Sequence, residues 1–348
     1  MNGAKLNWRT LLIATVVIAV VAYLMENVLL AAQGGALLVT LLFWVTLAHG
    51  PIAVVAAADI VSGKWIQPYK REILSVYPFG LVIPVLFLAF VPNLKYYIWY
   101  HDQGVWLNST FFITRNVVLL LITFLLARKF ALESIKEGPK KSTYAVWYVL
   151  AYVATHTIIA FDWVMSMEYP WISTLFGAYF FVEAFYAGIA FGGVMTFINY
   201  ANFTKEYPIK VFKKSQMDMG TLLFGFSVFW AYQFYSQYLV IWYGNIPEEV
   251  SFLARRVATS PMREFAYSVI VLLFLIPFVT LLFRKLKGSP GYLLFISLII
   301  YTGLLIERVL YVEPHLTVNP ILAIVEFALV GGLFALIVQS RRLFLKLS

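Results

Sequence analysis

Apolar runs of about 20 residues, parted by short polar segments, recur from one end of this chain to the other. A run of that length carries a helix across the ~30 Å hydrocarbon layer of a bilayer. Ten spans can be drawn, at 10–32, 36–61, 73–92, 110–132, 144–166, 171–200, 218–242, 263–284, 291–312 and 319–339. The pattern predicts an all-α polytopic membrane protein forming a single integral membrane domain over 1–348. Prolines fall inside several spans: Pro51 in the second, Pro78 and Pro84 in the third, Pro277 in the eighth. Each removes a backbone donor and is expected to kink its helix, which neighbouring helices tolerate in a membrane.

Composition agrees: 62% of residues are hydrophobic, 12% are charged, and the mean hydropathy is +0.83. A soluble domain carries about 25% charged residues. The absence of cysteine excludes disulfides, thiolate metal sites and protein-ligated iron–sulfur clusters. The net charge of +9 speaks for topology and contacts with anionic lipid, not for nucleic acid. Of the 26 Lys and Arg, twenty fall at the N-terminus, in 62–72, 128–141, 201–217 and 284–290, and in the tail; six lie on the opposite side. The positive-inside rule then puts both termini in the cytoplasm. The N-terminus has no A-x-A-like cleavage site and is read as an uncleaved first helix. The outer loops, such as Tyr96-Tyr97-Ile98-Trp99-Tyr100 and Trp106, are rich in aromatic residues. That suits side chains at headgroup level, and equally a docking face.

Ionisable side chains at membrane depth are costly and mark either ion paths or helix-locking pairs. His156 and Glu183 each lie ~18 Å from the ends of their spans at the helical rise, and His49, beside Gly50-Pro51, lies at similar depth. Asp162, Glu26, Arg115, Glu307, Arg308 and Glu326 fall within about two turns of the outer ends. Asp59 stands at the inner end. This distribution suits a half-channel or a quinone pocket open to the outside. The plainer alternative pairs each acid with a base, Asp162 or Glu26 with Arg115, and Glu307 with Arg308. Gln233 and Gln237 share a helical face with Trp230 and either line a polar path or bond neighbouring helices. His49 and His156 are the only candidate pair for a haem, and no H-E-x-x-H-type spacing is present.

Two stretches are familiar. Phe161-Asp162-Trp163-Val164-Met165-Ser166-Met167-Glu168, followed by Trp171-Ile172-Ser173-Thr174-Leu175-Phe176-Gly177, resembles a segment of the NrfD/polysulfide-reductase family of quinone-linked membrane subunits. Within that family, Ser236-Gln237-Tyr238-Leu239-Val240-Ile241-Trp242-Tyr243-Gly244-Asn245-Ile246-Pro247-Glu248-Glu249 is similar to the signature of the ActF branch, which belongs to alternative complex III. The resemblance covers essentially the whole chain. It implies two four-helix bundles, 36–166 and 171–312, flanked by helices 10–32 and 319–339. It implies membership of a quinol:electron-acceptor oxidoreductase in the bacterial inner membrane. Partners would be a homologous quinol-binding membrane subunit, multihaem cytochrome c subunits and an iron–sulfur/molybdopterin-like protein. Haem and iron–sulfur clusters would sit on those partners, quinol or menaquinol would serve the complex, and no cofactor would be bound tightly in this chain. Where relatives read acidic-Pro-His-Trp, this chain reads Glu168-Tyr169-Pro170-Trp171, so any role of that loop histidine is absent here or moved.

The expectation is therefore a non-redox subunit supporting proton conduction beside the quinol-binding subunit. Glu183 and His156 would be central stations, Asp162 an outer gate, His49 and Glu26 links, and Arg115 a holder of carboxylate charge. The alternatives are a subunit that itself binds quinol, with His156 and Asp162 as ligands, or a purely structural scaffold. A stand-alone transporter lacks an obvious pair of Gly-interrupted spans.

Overall fold

The structure, a computed structural model, describes residues 6–340 together with 344 and 345. Among these residues all regular structure is helical, and nine helices are long and apolar enough to cross a membrane. They are α1 (Trp8–Leu29), α2 (Gly35–Ile60), α3 (Tyr77–Tyr96), α4 (Ser109–Ile135), α5 (Lys141–Glu168), α6 (Leu175–Ile198), α8 (Met262–Leu281), α9 (Pro290–Val312) and α10 (Pro320–Gln339). Between α6 and α8 runs α7 (Ile209–Gly244), the longest helix at 36 residues. It contains the stretch 218–242 but is not among the nine apolar helices. Ser, Gln and Tyr side chains along its length account for that. The terminal charges used for orientation, Lys5, Arg341, Arg342 and Lys346, lie outside the described residues.

Helix ends follow local chemistry. Asn7 and Thr10 close a reciprocal capping box at the start of α1. Asn108 accepts from the Phe111 N–H, and Asn319, followed by Pro320, accepts from Ile321 and Leu322. Each cap satisfies donors that a helix start leaves free. Proline shapes the interiors. The chain from 64 to 81 advances in short helical turns broken by Pro68 and Pro78, so α3 begins later than its apolar run. In α8 a π-helical turn, Val271–Leu275, precedes Pro277 and makes room for the ring. Two further π-turns, Met25–Leu29 in α1 and Ala160–Val164 in α5, each carry a buried carboxylate, Glu26 and Asp162. Such turns often mark functional positions.

The centre of the molecule is α2, buried along almost its whole length. It packs most extensively on α6, and also on α5, α9 and α10. The α2–α6 approach depends on two glycines: a Cβ at Gly50 would lie 1.8 Å from the Ala184 carbonyl oxygen, and one at Gly188 2.4 Å from the Gly50 carbonyl carbon. Around this axis α2 to α5 pack among themselves, and α6 to α9 among themselves. Helix α1 lies on α3 and α10.

Ion pairs centred on buried Asp59, Lys70 and Glu168 tie each end of the molecule. At one end Lys70 bridges Asp59 (3.2 Å) and Glu137 (2.5 Å), Lys141 reaches Glu137 (2.6 Å), and Ser134 donates to Asp59 (2.5 Å). Burial acts to raise the Glu137 carboxyl, but hydrogen bonds from Lys141 and Lys70 outweigh it and leave it below its ordinary value. At the other end Glu168 meets Arg256 (2.7 Å), Arg255 (3.4 Å) and His315 (2.8 Å). One carboxylate thus joins three loops that the charge pattern puts on the same side. Burial lowers the Arg256 guanidinium and Glu168 opposes the shift.

Candidate functional site

Helices α6, α7 and α9 enclose a polar cluster at the core of the molecule. Arg308 Nη2 lies 2.6 Å from Glu183 Oε2, and its Nη1 lies 3.6 Å from Glu307 Oε2. Tyr179 donates to Glu307 Oε1 at 2.6 Å, and Trp230 Nε1 donates to Glu183 Oε1 at 3.4 Å. Arg308 and Glu183 are wholly buried. Tyr179 sits one turn before Glu183 on α6, and Tyr311 one turn after Glu307 on α9, so the helical repeat aims all four at one point. Phe180 and Tyr311 cover the guanidinium, with ring centroids 4.7 and 5.6 Å away, where a cation gains from the ring quadrupole. The cluster holds two carboxylates against one guanidinium. That excess charge can be balanced by a proton shared within it.

A cavity of about 490 Å³ opens beside this cluster, bounded by α6, α7, α8, α9 and the connecting helix Pro247–Val257. Its wall is mostly apolar and rich in aromatic residues, including Phe176, Phe252, Tyr267 and Tyr311. The polar groups on it are few: Glu307, Tyr179, Gln237 and Arg256. Glu307 Oε2 and Arg256 Nε and Nη2 are buried and have no hydrogen-bond partner. Gln237 accepts from Ser173 at 2.7 Å. Gln233, one turn earlier on α7, is buried with its carbonyl oxygen unpartnered.

His49 on α2 and His156 on α5 meet edge to face, with ring centroids 5.4 Å apart. All four ring nitrogens are buried and unpartnered. Tyr152 packs on His156 at 4.7 Å and donates to the Phe181 carbonyl of α6, while Tyr148 donates to the His49 carbonyl at 2.8 Å. The histidine pair therefore lies across the α2–α5–α6 contact.

Asp162 is held differently. Arg115 grips it with two parallel bonds of 2.7 Å from Nε and Nη2, and Asn116 adds a third at 2.6 Å. Arg115 Nη1 donates to the Trp106 carbonyl at 2.6 Å, and Trp163 fixes Asn116 at 2.8 Å. With both oxygens engaged this way the carboxylate reads as a lock between α4 and α5 rather than a gate. Glu26 does not meet Arg115. Its oxygens accept from the Gly34 and Leu37 N–H groups, 3.2 and 3.0 Å, at the start of α2. Glu326, expected in a charge pair, has no basic partner among the described residues, and both its oxygens are unpartnered. Arg308 does pair with its neighbour Glu307 at 3.6 Å, and lies closer still to Glu183 at 2.6 Å, a partner the sequence did not indicate.

The structure thus brings Glu183, Glu307 and Arg308 together, sets His49 against His156, and keeps Asp162 with Arg115 apart from both. Asp162 and His156 do not line the large cavity. Tyr179, Arg256 and the Glu168–His315 contact were not singled out by sequence reasoning. Tyr179 was within reach of it, being four residues before Glu183. Arg256 and His315 sit in loops whose convergence only the fold creates. A scan against protein-family models finds none that matches this sequence, and no curated protein matches it.

Proposed function

We propose that this chain is an integral membrane subunit, without a redox centre of its own, of a quinol-oxidising electron-transfer complex of the alternative complex III type. In this reading it crosses the bacterial inner membrane ten times, with both termini in the cytoplasm. Its spans form two four-helix bundles, 36–166 and 171–312, with the first and last helices on their flank. Helix α7 supplies the tenth crossing: 36 residues extend ~54 Å at the helical rise, more than a bilayer core needs. Its role is proton transfer beside a homologous quinol-binding subunit, with haem and iron–sulfur clusters carried by other partners.

The observation that carries the proposal is the Glu183–Arg308–Glu307–Tyr179 cluster, buried, short of one cation, and open through Glu307 to the cavity. A proton enters at Glu307 and passes by way of Tyr179 and bridging water to Glu183, while the Arg308 guanidinium keeps its own protons and stabilises whichever carboxylate is ionised. His156 and His49 offer unpartnered nitrogens on the α2 side; bridging waters complete links longer than ~3.5 Å. The test is quinol-driven turnover of the intact complex in proteoliposomes, with protons counted per electron. Glu183→Gln and Glu307→Gln are each expected to lower that ratio at least twofold while the complex assembles. Wild-type coupling in an assembled Glu183→Gln complex refutes the relay. Mutants that change stability and not turnover would favour the scaffold reading.

A second reading, that the chain itself binds quinol, is favoured by the cavity. Aromatic walls suit a flat ring, Glu307 Oε2 accepts a hydroxyl proton, and Arg256 Nε and Nη2 donate to an oxygen. Residues Glu307, Arg256 and Tyr179 replace His156 and Asp162 as its ligands. Filling the space with Leu253→Trp would abolish binding of a short-chain naphthoquinol if the reading holds.

A further inference from the structure

The connection between α8 and α9 folds back onto the start of α7. Gln216 donates to the Lys287 carbonyl at 3.2 Å, and Lys287 Nζ lies 3.5 Å from Thr221 Oγ1. Gly220 leaves room for the lysine stem, since a Cβ there would lie 2.9 Å from Lys287 Cγ. Met217 Sδ lies 3.7 Å from where a Gly288 Cβ would stand. These contacts bring two basic stretches together. Lys213 and Lys214 lie one turn before Met217 on the same face of α7, with Lys210 a further turn back. Arg284 and Lys285 begin the short helix that ends at Lys287.

Lys210, Lys213, Lys214, Arg284 and Lys285 are all exposed, and none forms an ion pair with any described residue. Lys70, Arg71 and Lys141, which the charge pattern puts on the same side, each meet an acid at 2.5–3.0 Å. The start of α7, uncapped by any side chain, adds the positive end of its dipole to the cluster. Like charges gathered this way repel one another and attract an anion. The rim of the cluster says which kind. Ile209 and Val211 on α7 are exposed beside the lysines, and Leu282 and Phe283, directly before Arg284, are 55% and 60% exposed. A free phosphate gains nothing from such a rim, whereas an acyl chain covers it. Basic side chains where apolar helices end suit the headgroup of an anionic lipid, and a guanidinium such as that of Arg284 can hold its phosphate with two parallel bonds.

We propose that Lys213, Lys214, Arg284 and Lys285 bind the phosphate of an anionic phospholipid, with Leu282 and Phe283 against its acyl chains. Nothing in this site depends on the proton-transfer reading above. The test uses the full chain, with any subunits that co-purify, stripped of lipid in a neutral detergent. Phosphatidylglycerol, or phosphatidylcholine with the same acyl chains, is titrated in, and retained lipid is counted by native mass spectrometry. The expected result is a phosphatidylglycerol-binding step about tenfold or more tighter than any step with phosphatidylcholine. Millimolar inorganic phosphate is expected to leave that lipid in place. Lys213→Gln/Lys214→Gln/Arg284→Gln/Lys285→Gln abolishes the step. Lys64→Gln/Lys129→Gln/Lys136→Gln/Lys140→Gln takes four exposed lysines from elsewhere on the same side and shifts it less than twofold. Equal affinity for the two lipids in the wild-type chain, an undiminished step in the first variant, an equal loss in the second, or displacement by phosphate each overturns the site. A carbodiimide cross-link from Lys213 to a carboxylate of a co-purifying subunit would overturn it too, by giving the cluster to a protein.

Discussion

The Arg115–Asp162 lock permits a direct test of whether a buried charge here holds helices or moves protons. In Asp162→Ala the Arg115 guanidinium, on a side chain 7% exposed, loses both 2.7 Å bonds and keeps only the Trp106 carbonyl. Removing one partner of a buried pair costs about 3–5 kcal/mol, mostly the penalty of the charge left behind. The freed Asn116 amide adds to that cost. In Arg115→Ala the carboxylate keeps only Asn116 and the loss is of similar size. Once either charge is gone, removing the other costs little, so the Asp162→Ala/Arg115→Ala double mutant falls short of the sum by about the cost of one single mutant, about 3 kcal/mol or more. The assay is reversible unfolding in mixed micelles, run as a double-mutant cycle, with turnover measured per assembled complex. Additive single mutants, each below about 1 kcal/mol, would refute the lock. A cycle with strong coupling but lost proton movement would return Asp162 to the relay.

Other expectations follow the same geometry. Gly188→Ala drives a Cβ into the Gly50 backbone at 2.4 Å; it should destabilise by at least the ~1–3 kcal/mol of overpacking, read as a lower melting midpoint, whereas the open Gly225 should accept alanine unchanged. Glu168→Gln removes the charge that joins three loops, so hydrogen exchange should rise in both 247–257 and 313–319; a rise in only one would show the loops to be held separately. At the opposite end, Glu137 has its pKa depressed below 4.5 in the folded chain. Its contribution is therefore present above the unfolded value and lost as pH falls through the folded one. Because the side chain is 55% exposed, screening keeps the effect to a few tenths of a kcal/mol. Glu137→Gln should flatten the stability profile below about pH 4.5, and an unchanged acid slope would place the titrating group elsewhere.

Much of the helix pattern could be read from hydrophobicity because a bilayer leaves the backbone little choice. In hydrocarbon each amide must be satisfied inside its own segment, so an apolar run of sufficient length is a helix whatever surrounds it. Where the pattern was blurred, local chemistry shows why. The third span starts late because Pro68 and Pro78 break the approach to it. The seventh is weakly apolar because Trp230, Gln233 and Gln237 face protein, not lipid. The expensive residues Glu183, His49, His156 and Arg308 were visible one by one for the same reason, as charges or imidazoles where none should be cheap.

Their partners were not visible. Charge, depth and composition are properties of a residue on its own helix, and from the sequence alone they determined helical class, the crowding of polar groups toward one end, and the short list of buried titratable groups. Which acid meets which base depends on the rotation of each helix about its axis. That rotation is set by packing between distant segments, such as Gly50 against Gly188. Only the tertiary structure decided that Arg308 pairs more closely with Glu183 than with its neighbour Glu307, that Asp162 is saturated, that Glu326 has no basic partner among the described residues, and that the cavity opens at Glu307. A turn of one residue, about 100° on a helix, would exchange every one of these partners while leaving the hydrophobic pattern almost unaltered.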